Sequence, residues 1–250
     1  MEKVKESKGI SGFHTSVGHG DYGEYKVKKL FSEHYGPSIE YAEDKSLDER
    51  YQEAGIDLIM QYHDGAMSTV EVKNDLSTNP NIFYEIISQS KPGEPDVPGC
   101  MLTTEAEYIF YVFEQLDVVL ILPVKSLREW VNAYLKGEGY LETRDVANFS
   151  YISRGYLIPI ERLMGAHAAW SEVHGMRALD IKTGKPMTYE AVEERRLLVE
   201  EINKDETLEP FTTREKYWEI ENKKLWVNNG VLSYATKGAI ENFKKKTRKY

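Results

Sequence analysis

The sequence predicts an α/β protein with a mixed sheet, and three observations carry that expectation. Apolar residues recur at helical spacing through Tyr25, Val27, Leu30, Phe31 and Tyr35. Two strands with alternating polarity flank Asp64-Gly65, a dipeptide that favours a tight hairpin. Two runs rich in aromatic and branched residues, at 108–113 and 118–122, read as buried strands, the second leading into a helix.

Each element has its own reason. Residues 1 to about 15 read as a loose lead. Gly18-His19-Gly20-Asp21-Tyr22-Gly23 matches G-x-G-x-x-G, but no buried strand precedes it, so a dinucleotide site is rejected. The first helix keeps Lys26, Lys28, Lys29 and Glu33 mostly outside and stops at Gly36-Pro37. A strand is expected at 38–42, a charged loop at 43–50, and then the hairpin of 55–73. Asn79-Pro80-Asn81 is read as opening a helix over 82–87, ended by Lys91-Pro92-Gly93. After the two buried strands, Leu127, Trp130, Val131 and Tyr134 space a helix over 123–135. A last strand at 155–160 runs into a short helix ending at Met164. Residues 1–166 are thus expected to form the α/β domain. Residues 167–250 are expected to form a mostly helical extension, with helices at 189–203 and 213–228, that either embraces the domain or makes a homodimer contact.

Composition narrows the function. The chain holds 41% hydrophobic and 29% charged residues, as a soluble globular protein does. No apolar run reaches 18 residues and the N-terminus has no apolar signal core, so no membrane association is expected. The single cysteine, Cys100, excludes a disulfide framework and fits a reducing cytoplasm. A net charge of −9 argues against bulk attraction to nucleic acid, leaving local patches to decide. No Ser-His-Asp order, P-loop or metalloprotease helix is present.

The hairpin carries charges at unusual places. Asp57, Glu71 and Lys73 stand at otherwise apolar strand ends, where charge is costly to bury without a partner or a metal. Glu71 and Lys73, two apart, share one face, with Val70 and Val72 on the other. A two-residue turn at Asp64-Gly65 would point Asp57 away from Glu71. A three-residue loop over Asp64 to Ala66, or a kink near Asp57, would bring all three together. Carboxylates beside a lysine suit one task well: holding a hard cation through oxygen and hydrolysing a phosphodiester.

On these residues the chain resembles the PD-(D/E)XK nuclease superfamily. The match consists of Asp57 and the triplet Glu71-Val72-Lys73, preceded by Gln52 and Gly55 and followed by Asn81 to Glu85 and Cys100 to Tyr108. It runs from about residue 18 to 165 and is similar to some phage and bacterial endonuclease or resolvase-like members. Ile56 stands where those members carry proline, and Glu107 where they carry aspartate. The resemblance implies a restriction-endonuclease-like αβββαβ core and a deoxyribonuclease dependent on Mg²⁺ or Mn²⁺. Asp57, Glu71 and the Val72 carbonyl would hold the metal, and Lys73 would position the attacking water. Glu24 is the preferred extra helix acid among Glu24, Glu33 and Glu40, while Gln52 and Glu85 would support the site. The alternatives within the same fold are a non-catalytic DNA- or protein-binding member and a structure-selective junction endonuclease.

Overall fold

Two sheets organise the chain. The computed structural model describes residues 12–35, 39–45, 48–137, 140–148, 150–164 and 175–204. The main sheet has seven strands and begins with β1 (Ile39–Asp44), β2 (Leu58–Tyr62) and β3 (Met67–Asp75), an antiparallel meander. Next to β3 lies β6 (Tyr108–Phe113), running parallel to it, followed by β7 (Val118–Pro123), β10 (Arg177–Asp180) and β11 (Pro186–Met187), all antiparallel. The second sheet has the order β5 (Val97–Pro98), β4 (Asn81–Ser90), β9 (Ile152–Pro159), β8 (Glu142–Ala147). The protein is therefore α/β with a mixed sheet. Among the described residues no helix is long and apolar enough to cross a membrane.

Helix α1 (Gly12–His34) covers one face of the main sheet. Val27, Leu30 and Phe31 pack there on Leu58, Met60, Val70, Val72 and Phe110. The approach is close, since a Cβ on Gly23 would lie 2.8 Å from the Asn74 Cβ. The opposite face, with Ile109, Tyr111 and Phe113, closes against β4, β9 and α4 (Val124–Lys136) through Ile82, Tyr84, Ile158, Leu127 and Val131. The short helices α2 (Glu49–Glu53), α3 (Cys100–Thr103) and α5 (Ile160–Met164) lie between strands, and α6 (Tyr189–Lys204) follows the last one.

Several expectations are corrected. Residues 82–87 are not helical but belong to the ten-residue strand β4, paired antiparallel with β9. Ile82 and Tyr84 are buried in the alternation of a strand, and a short, mostly apolar segment reads either way by periodicity. The crossover from β3 to its parallel neighbour β6 consequently passes through β4, β5 and the four-residue α3 instead of one helix. The first helix starts at Gly12, so the glycine-rich stretch lies inside it. A short helix, α2, interrupts the charged stretch before the hairpin, with the Asp48 carboxylate capping it through Arg50 N–H. The boundary expected at 166/167 does not bound the sheet, because β10 and β11 from beyond it pair into it. Residues 189–204 are helical as expected, and the helix expected at 213–228 lies outside the described residues.

Candidate active site

The hairpin sets the geometry. Tyr62 N–H donates to the Ala66 carbonyl and Gly65 N–H to the Tyr62 carbonyl, so the loop is His63-Asp64-Gly65, with Gly65 at φ 84°. The loop has the three-residue length the charges require, but sits one residue earlier than expected, because Gly65 takes the left-handed position that closes it without a Cβ clash. The ladder pairs Leu58 with Val70, which would set Asp57 across from Glu71 rather than Lys73.

By Asp57 the ladder has ended, and the chain kinks. Asp57 N–H donates to the Val70 carbonyl at 2.9 Å. Its Oδ2 accepts from Val72 N–H at 2.6 Å. The carboxylate therefore lies along the β3 backbone, close enough to Glu71 and Lys73 to feel both charges. Burial, chiefly, raises its pKa above the usual aspartate value, opposed by the Val72 hydrogen bond and the Lys73 ammonium. Thr69 bonds Glu107 of the β6 lead through its carbonyl, so even-numbered β3 residues point their amides toward β2. The Val72 carbonyl accordingly opens on the Asp57 side.

Glu71 is 3% exposed, and one of its oxygens is in ion contact with the Lys73 ammonium. The other, Oε2, is buried without a hydrogen-bond partner. Gly55, at φ 65°, leaves room for it, since a Cβ there would lie 3.2 Å from Oε2 and 3.0 Å from Thr104 Oγ1. Thr104 Oγ1 donates to the Gly55 carbonyl and accepts from Ala106 N–H, fixing this floor. Arg128 of α4 holds the same segment from below through the Met101 and Thr104 carbonyls. Burial opposes the Lys73 charge, but the neighbouring Glu71 and Asp57 carboxylates outweigh it, so its pKa is raised and it is an ammonium at neutral pH.

Cys100 opens α3 beside this group. Its N–H donates to Glu85 Oε2 at 3.2 Å. Burial pushes its thiol up to about 12, with Lys73 pulling the other way. Glu85 thus reaches the site from a strand of the second sheet rather than from a helix. Gly99 permits the approach, for a Cβ there would meet the Glu85 carbonyl oxygen at 2.4 Å. Sequence reasoning missed Cys100 as a site residue, and only the fold of β4 onto the β3 face reveals it. Asp75 continues the face of Glu71 and Lys73 but is engaged by Tyr111 Oη–H and Ser77 N–H.

Glu24 is buried on α1, in the middle of the helix instead of near its start, next to Gly23, which packs on Val72 and Asn74. Glu33 is exposed on α1, near Lys29, and Glu40 lies on β1. Gln52 is exposed on α2, where its carbonyl accepts from Gly55 N–H and helps set that glycine's turn. Among the described residues, no group of three or more His, Cys, Asp or Glu side chains is disposed to hold a metal ion. Two carboxylates and a backbone carbonyl do fit a magnesium-type ion, which binds through one or two carboxylates and keeps several waters. The buried, unbonded Glu71 Oε2 is the oxygen such an ion would satisfy.

Comparison with known proteins finds no matching family model, no matching curated protein and no matching solved structure.

Proposed function

We propose that this protein is a divalent-metal-dependent deoxyribonuclease of restriction-endonuclease-like type. The observation that carries the reading is the meeting of Asp57, just before β2, with Glu71 and Lys73 in the middle of β3, with Glu71 Oε2 buried and unbonded. Asp57, Glu71 and the Val72 carbonyl would hold Mg²⁺ or Mn²⁺, which supplies positive charge for the phosphate and lowers the pKa of water. Lys73 is an ammonium in the metal-free protein and would donate hydrogen bonds that orient water or a phosphate oxygen. In the hydrolysis a water oxygen bonds to phosphorus, one P–O ester bond breaks, and the leaving oxygen takes up a proton. Glu85 and Cys100 border the site on the second-sheet side.

The test is cleavage of plasmid, linear, single-stranded and four-way-junction DNA in Mg²⁺ or Mn²⁺. Asp57→Ala and Lys73→Ala are expected to lose cleavage while keeping a cooperative unfolding transition. Full activity in EDTA, or in Lys73→Ala, would defeat the reading. Preference for the four-way junction would identify a structure-selective endonuclease. One observation favours a second reading: two acids rather than three converge among the described residues. That suits a member of the same fold that binds DNA or protein without turnover, and DNA binding in Ca²⁺ with no cutting in Mg²⁺ or Mn²⁺ would select it.

A further inference from the structure

Strand β8 ends the second sheet, and among the described residues no strand pairs with its outer side. All six of its residues are exposed. Such an edge is a template for another strand unless its side chains oppose pairing. The β8–β9 ladder decides which backbone groups are free. Asn148 N–H donates to the Tyr151 carbonyl, in step with the 142↔157 to 147↔152 register. Even-numbered residues of β8 therefore bond β9, and Thr143 and Asp145 present their N–H and C=O groups outward.

A second copy of the chain can pair here only antiparallel, about a two-fold axis perpendicular to the sheet. That axis keeps each side chain on its own face, so residues pair only with others of the same parity. Centring the axis on Arg144 sets arginine against arginine, and centring it on Asp145 sets aspartate against aspartate. Centring it on Thr143 gives a different result. Thr143 faces Thr143 of the second copy with both sets of outward backbone groups in reach. Glu142 faces Arg144 of the second copy, and Arg144 faces its Glu142. Tyr140, 77% exposed, faces Val146, 40% exposed. Threonine pairs, opposite charges and aromatic–branched pairs are all favourable cross-strand neighbours. Asp145 keeps its own partner, Arg154, at 2.7 Å.

We infer that the protein forms a homodimer by antiparallel β8–β8 pairing centred on Thr143, joining the two four-stranded sheets into one. This surface is separate from the Asp57–Glu71–Lys73 group and does not depend on the proposed nuclease activity. Sedimentation equilibrium of the full chain is expected to show twice its 28.8 kDa mass. Arg144→Glu, which sets glutamate against glutamate twice, is expected to raise the dimer dissociation constant roughly tenfold. The double variant Glu142→Arg with Arg144→Glu restores the charge pairs and the dimer. Thr143→Pro removes an outward N–H without touching the β9 ladder and is expected to leave a monomer that still unfolds cooperatively in urea, at a midpoint independent of protein concentration. A wild-type protein that stays monomeric at every concentration, a dimer indifferent to Arg144→Glu and Thr143→Pro, or failure of the charge swap to restore pairing would each overturn the inference.

Discussion

Gly55→Ala tests whether the site is built as described. Gly55 holds φ 65°, where an alanine costs about 1–2 kcal/mol by clash with its own backbone. Its Cβ would also stand 3.0 Å from Thr104 Oγ1, 3.1 Å from Thr104 Cβ and 3.2 Å from Glu71 Oε2. Relieving such overpacking in a closed site costs about 1–3 kcal/mol more. The sum is about 2–5 kcal/mol. Gly65→Ala is the control, because Gly65 has φ 84° but no atom within 4 Å of the added Cβ. It should lose only the backbone share, about 1–2 kcal/mol. Urea denaturation of both variants with a common slope measures the difference. Cleavage, assayed well below both unfolding transitions, should fall in Gly55→Ala because Glu71 is displaced, and survive in Gly65→Ala. A Gly55→Ala protein no less stable than Gly65→Ala, or as active as wild type, would refute the placement of Glu71 against Gly55.

The remaining predictions concern charge. Because burial raises the Asp57 pKa in the metal-free protein, the acid limb of the kcat/KM profile taken at metal well below saturation should lie above the ordinary aspartate value of 3.8, with activity falling as pH drops and the carboxylate is lost. An acid limb at 3.8 or below would contradict this. Cys100 keeps its proton in the folded state to about 12 but releases it near 9.0 when unfolded. The folded state thus binds more protons between these values, and stability should fall there as pH rises, by up to about 1.4 kcal/mol per pH unit. The loss should be smaller in Cys100→Ala in paired urea titrations, because the buried Tyr84 and Tyr111 hydroxyls keep their own share. Lys26 donates to buried Asp117 at 3.2 Å and to the Glu114 carbonyl at 3.3 Å. Lys26→Ala leaves that buried carboxylate only the more distant Lys182 ammonium, at 3.8 Å, and should cost about 3 kcal/mol. Lys28→Ala breaks only the half-exposed pair with Asp44 and should cost about 0–1 kcal/mol, and equal losses would refute the difference in burial.

Local chemistry was readable where the chain itself imposes it. The hairpin was legible because Asp64-Gly65 and strand alternation are short-range signals, and the shared face of Glu71 and Lys73 follows from their spacing alone. The core strands at 108–113 and 118–122 were legible because continuous apolar runs have nowhere to go but inside. Residues 82–87 were not, since Ile82 to Ile87 would serve a buried helix or strand equally, and the partner that settles it, β9, lies about seventy residues on. The place of Cys100 was hidden by a shorter separation, fifteen residues from Glu85, because only the strand reading of 81–90 brings the two together.

By itself, then, the sequence determined a mixed α/β protein and a pair of carboxylates with a lysine at one hairpin. Periodicity and turn chemistry act over a few residues and need no partner. The tertiary structure decided the rest: which strand carries Glu85, that β10 completes the main sheet, that Asp57 turns along β3 to meet Val72, and that Gly55 and Thr104 enclose an unbonded Glu71 oxygen. Those arrangements depend on strands far apart in the chain finding one another, and on close packing that leaves room for a hydrogen at Gly55 and for nothing larger.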